Sequence, residues 1–245
     1  MQFQTSVSGE VNGELTIRGT PLVSIIGEMG YTQALFFILT GKKPTAAQST
    51  IFDAILVACI DHGVAPASGF VPRVVTASGN ETTHAMAAGL LALGPFHGGA
   101  VEDAMRVFVE LNGKSEQEIT TYIETQRAAH KRLSGFGHRK YTEVDPRTEK
   151  LFQIATTQGQ EVSGAHIKTA RDIESALAKV MGRKLVLNVD GAVAALLLEL
   201  GLPSEAGNGI FALARMAGML AHIVEEKQQG NVVRRLDDNE ITYTT

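Results

Sequence analysis

The chain holds one cysteine, Cys59, so no intrachain disulfide can form. Set in the apolar run 55–60, its thiol reads as a small core residue, which suits the reducing cytoplasm. Tryptophan is absent and aromatics make up only 6% of the sequence, so Ala, Leu and Met must fill the core between closely packed helices. No uninterrupted apolar run exceeds Ala192–Leu198, far too short to span a bilayer. Residues 1–9 lack the basic segment and apolar stretch of a secretory signal, and the expectation is a soluble, unexported, cytoplasmic protein that does not engage membranes. Excess charge is lacking too: 22 Lys and Arg against 26 Asp and Glu give a net −4, with the basic residues dispersed, which argues against nucleic acid as a partner. No two histidines fall at i, i+4, and one cysteine cannot build a site, so no metal is expected.

Glycine, by contrast, is abundant, with 25 residues placed to end helices or to bring backbone close to a ligand. Residues 3–18 alternate weakly around Gly9 and Asn12-Gly13, a short β-hairpin; everything after reads helical. The pattern predicts apolar segments at 22–29 and 32–40, a helix from Pro44 to about Ile60, a small-residue loop at 66–70, a helix fragment at 72–78, and Asn80 as the N-cap of a helix over 81–93. The turn Gly94-Pro95-Phe96-His97-Gly98-Gly99 opens a helix over 100–111, and Ser115 with Glu118 forms a capping box for a polar helix to Lys131. Helices over 147–158 and 168–181, joined by a polar linker at 159–166, precede an apolar helix over 192–200 and a last one over 210–227. No repeat or linker divides the chain, so the reading is one all-α domain over 1–245, with a small mobile lobe at about 135–210.

Three polar side chains stand where the apolar pattern would not place them, each at a helix boundary. His138 lies in Ser134-Gly135-Phe136-Gly137-His138-Arg139, a loop with glycines on both sides of Phe136, and can take or give a proton near neutral pH. Asp190 heads the most apolar helix, where the dipole holds a carboxylate ionised and desolvation raises its basicity; it is a general base or an ordinary N-cap. His97, between glycines, is a site residue or a satisfied core histidine, and His62 after Asp61 is equally ambiguous. Arg147 after the Asp145-Pro146 turn, Arg215 within an apolar stripe and Arg235 in the tail are candidate anion clamps. Internal salt bridges are the alternative for Arg215.

Taken together and in order, Gly94 to Gly99 with His97, Gly135-Phe136-Gly137-His138-Arg139 followed by Asp145-Pro146-Arg147, and Asn188-Val189-Asp190 resemble the three catalytic motifs of the citrate synthase superfamily. The likeness runs from about Gly13 to the C-terminus and includes Asp61-His62-Gly63 and Val232-Val233-Arg234-Arg235. It implies a citrate synthase-like helical fold and a homodimer or higher homo-oligomer with shared active sites. It further implies His97, His138 and Asp190 as catalytic groups, and His62, Arg147 and Arg215 as holders of oxaloacetate or citrate. An arginine matching Arg235, or Arg234 one residue earlier, would come from the neighbouring subunit. Coenzyme A thioester is implied as substrate or product, with no permanently bound cofactor, and Gly135, Phe136 and Gly137 as its contacts. The segments around His62, Asp190 and Arg215 look like the C-terminal module of ATP-citrate lyase, and the chain lacks the long N-terminal helical portion of ordinary citrate synthases, as stand-alone citryl-CoA lyases do. His97 is the departure, since the ATP-citrate lyase module lacks a histidine there. The expectation is a citryl-CoA lyase working by metal-free acid/base chemistry. A short citrate or 2-methylcitrate synthase is the alternative, and a non-catalytic scaffold the reading from another class.

Overall fold

In the computed structural model residues 2–94, 97–159 and 162–244 are described. The turn residues Pro95 and Phe96, and residues 160 and 161 of the expected polar linker, lie outside them. The chain divides into two compact units. Unit 1 is Met1–Ile55 with Ala104–Ser204, and unit 2 is Leu56–Asp103 with Glu205–Thr245.

Unit 1 begins with the hairpin β1 (Ser8–Val11) and β2 (Glu14–Ile17), antiparallel with Ser8 opposite Ile17. Asn12 and Gly13 take positive φ, 52° and 82°, as a two-residue hairpin turn demands. A third strand that the pattern did not foretell, β3 (Thr20–Pro21), pairs with β2. The helices α1 (Leu22–Ile25), α2 (Tyr31–Thr40) and α3 (Ala46–Cys59) follow, α3 running on into unit 2. After α6 (Ala100–Leu111), which carries the chain back, come α7 (Glu116–Ala128), α8 (Pro146–Thr157), α9 (Ala165–Met181) and α10 (Val189–Glu199). The Ser115 capping box is present, Glu118 reaching back to the Ser115 backbone N–H. α10 packs on α8 and α9, and every residue from Ala192 to Leu197 is buried, which explains why this helix has no polar face.

Unit 2 is built on α4 (Ala67–Ala77), α5 (Thr82–Leu91) and α11 (Gly207–Gln229), each packed on the other two. Here local sequence misleads. Residues expected to be a loop and a fragment form one helix, α4, running through Pro72. Tertiary packing overrides the breaker: a Cβ on Gly89 would sit 2.6 Å from Pro72 Cγ, and one on Gly69 would strike the Gly63 carbonyl. Asn80 does not cap α5; its amide donates back to the Val75 carbonyl at the end of α4. The segment 204–229 is long and apolar enough by composition to cross a membrane. No long uninterrupted apolar run shows there because Asn208, Arg215, Gly218, His222 and Glu225-Glu226 break it, and of these Arg215 and Glu226 are charged yet buried within the unit.

Candidate active site

In unit 1 the loop carrying His138 is sewn to the start of α10 through backbone. Gly137 N–H donates to the Val186 carbonyl at 2.7 Å, Asn188 N–H to the Gly135 carbonyl at 3.0 Å, and the Asn188 amide to the Gly137 carbonyl at 2.8 Å. The crossing tolerates no side chain. A Cβ on Gly191 would lie 2.6 Å from Gly135 O, and one on Gly135, whose φ is 89°, would lie 2.9 Å from Gly191 Cα.

α10 is capped by Asn188, whose side-chain oxygen accepts from the N–H groups of Asp190 and Gly191 at 3.0 and 3.2 Å. The capping alternative for Asp190 is therefore already taken, and its half-buried carboxylate stands in the first turn with the helix dipole. Asp145, wholly buried, caps α8 and accepts from Arg147 at Nε and Nη2, 3.0 and 2.7 Å. It also accepts from Val189 N–H at 3.1 Å, so one carboxylate sets both Arg147 and the head of α10. Burial alone would raise its pKa, but the hydrogen bonds and charge of Arg147 outweigh it and hold Asp145 below the usual carboxylate range. Burial would lower Arg147, yet Asp145, Tyr141 and Asp190 together raise it, so this guanidinium remains charged with an anion partner in place.

The His138 ring stacks on Tyr141 with centroids 4.6 Å apart, and its Nδ1 accepts the N–H groups of Lys140 and Tyr141 at 3.0 and 3.1 Å. Two donors on Nδ1 put the proton of the neutral ring on Nε2. Beside it lies a cavity of about 540 Å³ that Phe136 and Gly137 line, along with Arg127, Lys131, Arg139 and Arg183. Gly135 is used differently, buried in the crossing with Gly191.

In unit 2 the candidates are held by side chains. His97 sits in a tight turn, exchanging backbone hydrogen bonds with Gly94, both at 2.8 Å. Its Nε2 lies 2.8 Å from the Ser68 hydroxyl, which also accepts from Arg215 Nη1 at 3.3 Å. Arginine can only donate, so Arg215 takes one of the two acceptor lone pairs of Ser68; when the hydroxyl gives its proton to His97 Nε2, the ring proton sits on Nδ1. Burial, followed by the positive charges of Arg215 and His62, pushes the His97 pKa down and keeps the ring neutral. Arg215 is 5% exposed, donates from Nε to the Cys59 carbonyl at 2.9 Å and lies over the Phe211 ring at 4.8 Å. His62 is exposed on a turn closed by Asp61, which accepts from Gly63 N–H at 2.8 Å and pairs with His222 at 3.1 Å. Arg235 is exposed in the tail, whereas Arg234 is spent on Glu226.

Sequence patterning missed Ser68, Asp145 and Asn188. A small polar residue such as Ser68 in a Gly- and Pro-rich stretch carries no signal by itself; the Asp-Pro at 145–146 did read as the turn that opens α8, but not as the partner of Arg147.

Residues 11–236 match the family described as citrate synthase, C-terminal domain. The solved citryl-CoA lyase of Hydrogenobacter thermophilus is 38% identical with a TM-score of 0.91, over 99% of this chain and 94% of that one. The solved citrate synthase of Thermoplasma acidophilum, a ternary complex with carboxymethyl coenzyme A and oxaloacetate, is 26% identical with a TM-score of 0.72, over 88% of this chain and 58% of that one. A citrate synthase of Deinococcus radiodurans is 30% identical over 238 residues, 95% of this chain and 61% of that protein. The chain thus spans about three-fifths of the length of such curated relatives, 61% and 62% of two of them. With residues 11–236 of 245 matched, the chain belongs to the citrate synthase family.

Proposed function

We propose that the protein is a citryl-CoA lyase, splitting citryl-CoA into acetyl-CoA and oxaloacetate. The observation that carries this reading is the TM-score of 0.91 at 38% identity to a citryl-CoA lyase, against 0.72 at 26% to a citrate synthase. The cavity beside His138 suits the thioester: its arginines and Lys131 match the 3′-phosphate and diphosphate of coenzyme A. Arg147, Arg215 and His62 are the donors for the carboxylates of the other half.

In this mechanism the proton of the citryl hydroxyl leaves as its C–O bond becomes a carbonyl, and His138 takes it. The adjacent C–C bond breaks and its electron pair forms the enolate of acetyl-CoA. His97, neutral with a proton on Nδ1, hydrogen-bonds the thioester oxygen where charge develops, and Asp190, which must enter the cleavage direction protonated, gives that proton to the new methyl carbon and leaves as the carboxylate. Run backwards, the same groups join acetyl-CoA to oxaloacetate.

One observation favours that reverse direction. With Nδ1 occupied by two backbone N–H groups, His138 presents Nε2–H, a donor, which is the state that ends cleavage and begins condensation. To start cleavage, Nε2 must first shed its proton or the 138–141 turn must release Nδ1. A citrate or 2-methylcitrate synthase is therefore the second reading.

The deciding assay offers purified protein citryl-CoA, and separately acetyl-CoA with oxaloacetate. Acetyl-CoA and oxaloacetate formed from the first without free coenzyme A support the lyase; citryl-CoA hydrolysed to citrate and coenzyme A with no acetyl-CoA formed, together with coenzyme A release from the second pair, sinks it. The reading extends to a cytoplasmic homodimer in which Arg235 serves the neighbouring subunit's site. Mixing Arg235→Ala with Asp190→Asn subunits should then restore about a quarter of wild-type activity once dimers exchange, since about half the sites lie in mixed dimers and half of those are intact.

A further inference from the structure

We infer that Glu226 is a positioning residue that anchors the C-terminal strap, residues 231–236, so that Arg235 rather than Arg234 is presented to a substrate carboxylate. This rests on the reading of Arg235 as a carboxylate clamp. Glu226, on α11, has a side chain with no exposed surface, which a carboxylate tolerates only with charged partners. Arg73 donates to it from Nε at 2.6 Å, and Arg234 grips it with Nε and Nη2, both at 2.7 Å. The remaining Arg73 nitrogens bind Glu225 and, at 2.7 Å, Gln229, so the anchor is itself held on three sides. The hydrogen bonds from Arg234 lead in keeping Glu226 below the usual carboxylate range.

The strap bends where it is held. Val233 has φ 53°, left-handed backbone that a β-branched residue adopts only when its surroundings over-determine it. Its N–H donates to the Ala77 carbonyl at 2.8 Å, at the end of α4. Two adjacent arginines are thereby given opposite tasks. Arg234, though exposed along its flank, is held by the buried Glu226, while Arg235 is exposed and forms no ion pair among the described residues.

The test compares Glu226→Gln and Arg234→Gln, each alone and combined with Arg235→Ala, by steady-state kinetics with citryl-CoA and by hydrogen exchange of residues 231–236. Arg234→Gln leaves the Arg73–Glu226 pair intact and is the variant that keeps the fold if Glu226→Gln does not. Expected are faster strap exchange and a KM raised on the order of tenfold with kcat much less affected, and little further loss when Arg235 is already alanine. The same KM factor in both backgrounds, or strap exchange unchanged in both anchor variants, overturns the inference. If Arg235→Ala by itself leaves KM unchanged, the clamp reading fails instead, and strap exchange still decides whether Glu226 anchors the turn.

Discussion

The two units place their functional side chains by different means. In unit 1, His138 and Asp190 ride on segments joined backbone to backbone, with Gly135 and Gly191 in contact and Asn188 bonding both strands of the crossing. In unit 2, the side chains of His97 and Arg215 meet at the Ser68 hydroxyl, and Asp61, next to His62, pairs with His222. The first arrangement is governed by sterics and tolerates no added atom; the second is governed by hydrogen-bond direction and charge, and should respond to small polar substitutions and to pH. The difference suits the tasks. A proton-transfer carboxylate needs a fixed helix dipole behind it, whereas a neutral imidazole needs its tautomer chosen.

The largest effect should come from Asp190→Asn, which should keep the fold because Asn188 is the cap, yet lose about 10²–10⁴ in turnover. Near-normal turnover with an unchanged melting curve would remove Asp190 from the chemistry. Gly191→Ala should strike the backbone crossing, costing about 1–3 kcal/mol of stability or more, since its Cβ would meet Leu187 Cδ1 at 2.5 Å and Gly135 O at 2.6 Å. Chemical denaturation measures this, and wild-type stability would mean the crossing is loose. Ser68→Ala is the matching test in unit 2: little change in stability relative to Gly191→Ala, but roughly a tenfold drop in kcat as His97 loses its tautomer partner. A kcat within about twofold of wild type would show that Ser68 does not orient the ring.

Acid should affect both units. Asp145 has a folded pKa below its unfolded value, so its stabilisation is full above about pH 4 and is lost as pH falls through the folded value. His97 is shifted the other way for its charge: its unfolded ring takes a proton first, so stability declines as pH falls below about 6.5. Asp145→Asn should be less stable at pH 7 and flatten the limb below pH 4; denaturation curves at pH 3, 5 and 7 that keep the wild-type slope would refute the assignment. The smallest effect belongs to His222→Asn, where a partly exposed pair should be worth about 0.2–1 kcal/mol. A fall in melting temperature larger than that of Gly191→Ala would reverse the comparison.

What could be read beforehand follows from the range of each interaction. The Ser115–Glu118 box and the Asn12-Gly13 turn were legible because cause and effect lie within three residues. Helix α4 was not, because Pro72 and Gly69 are made acceptable by Gly89 and Gly63 from neighbouring segments. Asn80 looked like a cap by composition, but its amide found a nearer acceptor at the end of α4. Among the candidate site residues, His97, His138 and Asp190 announced themselves as polar groups at helix boundaries next to glycine, and Arg147 by the Asp-Pro turn before it, signals carried by their own neighbours.

By itself, then, the sequence determined the helical class, the hairpin, most helix spans and the candidates for the catalytic side chains, since periodicity, caps and motif order are local properties. Only the tertiary structure decided their states. Which nitrogen of His97 and His138 carries the proton, that Asn188 rather than Asp190 caps α10, and which tail arginine is spent inside the protein all depend on partners. Some of those partners are distant in sequence, 29 residues for Ser68 and His97 and 44 for Asp145 and Val189, and a single sequence does not encode such pairings in any local pattern.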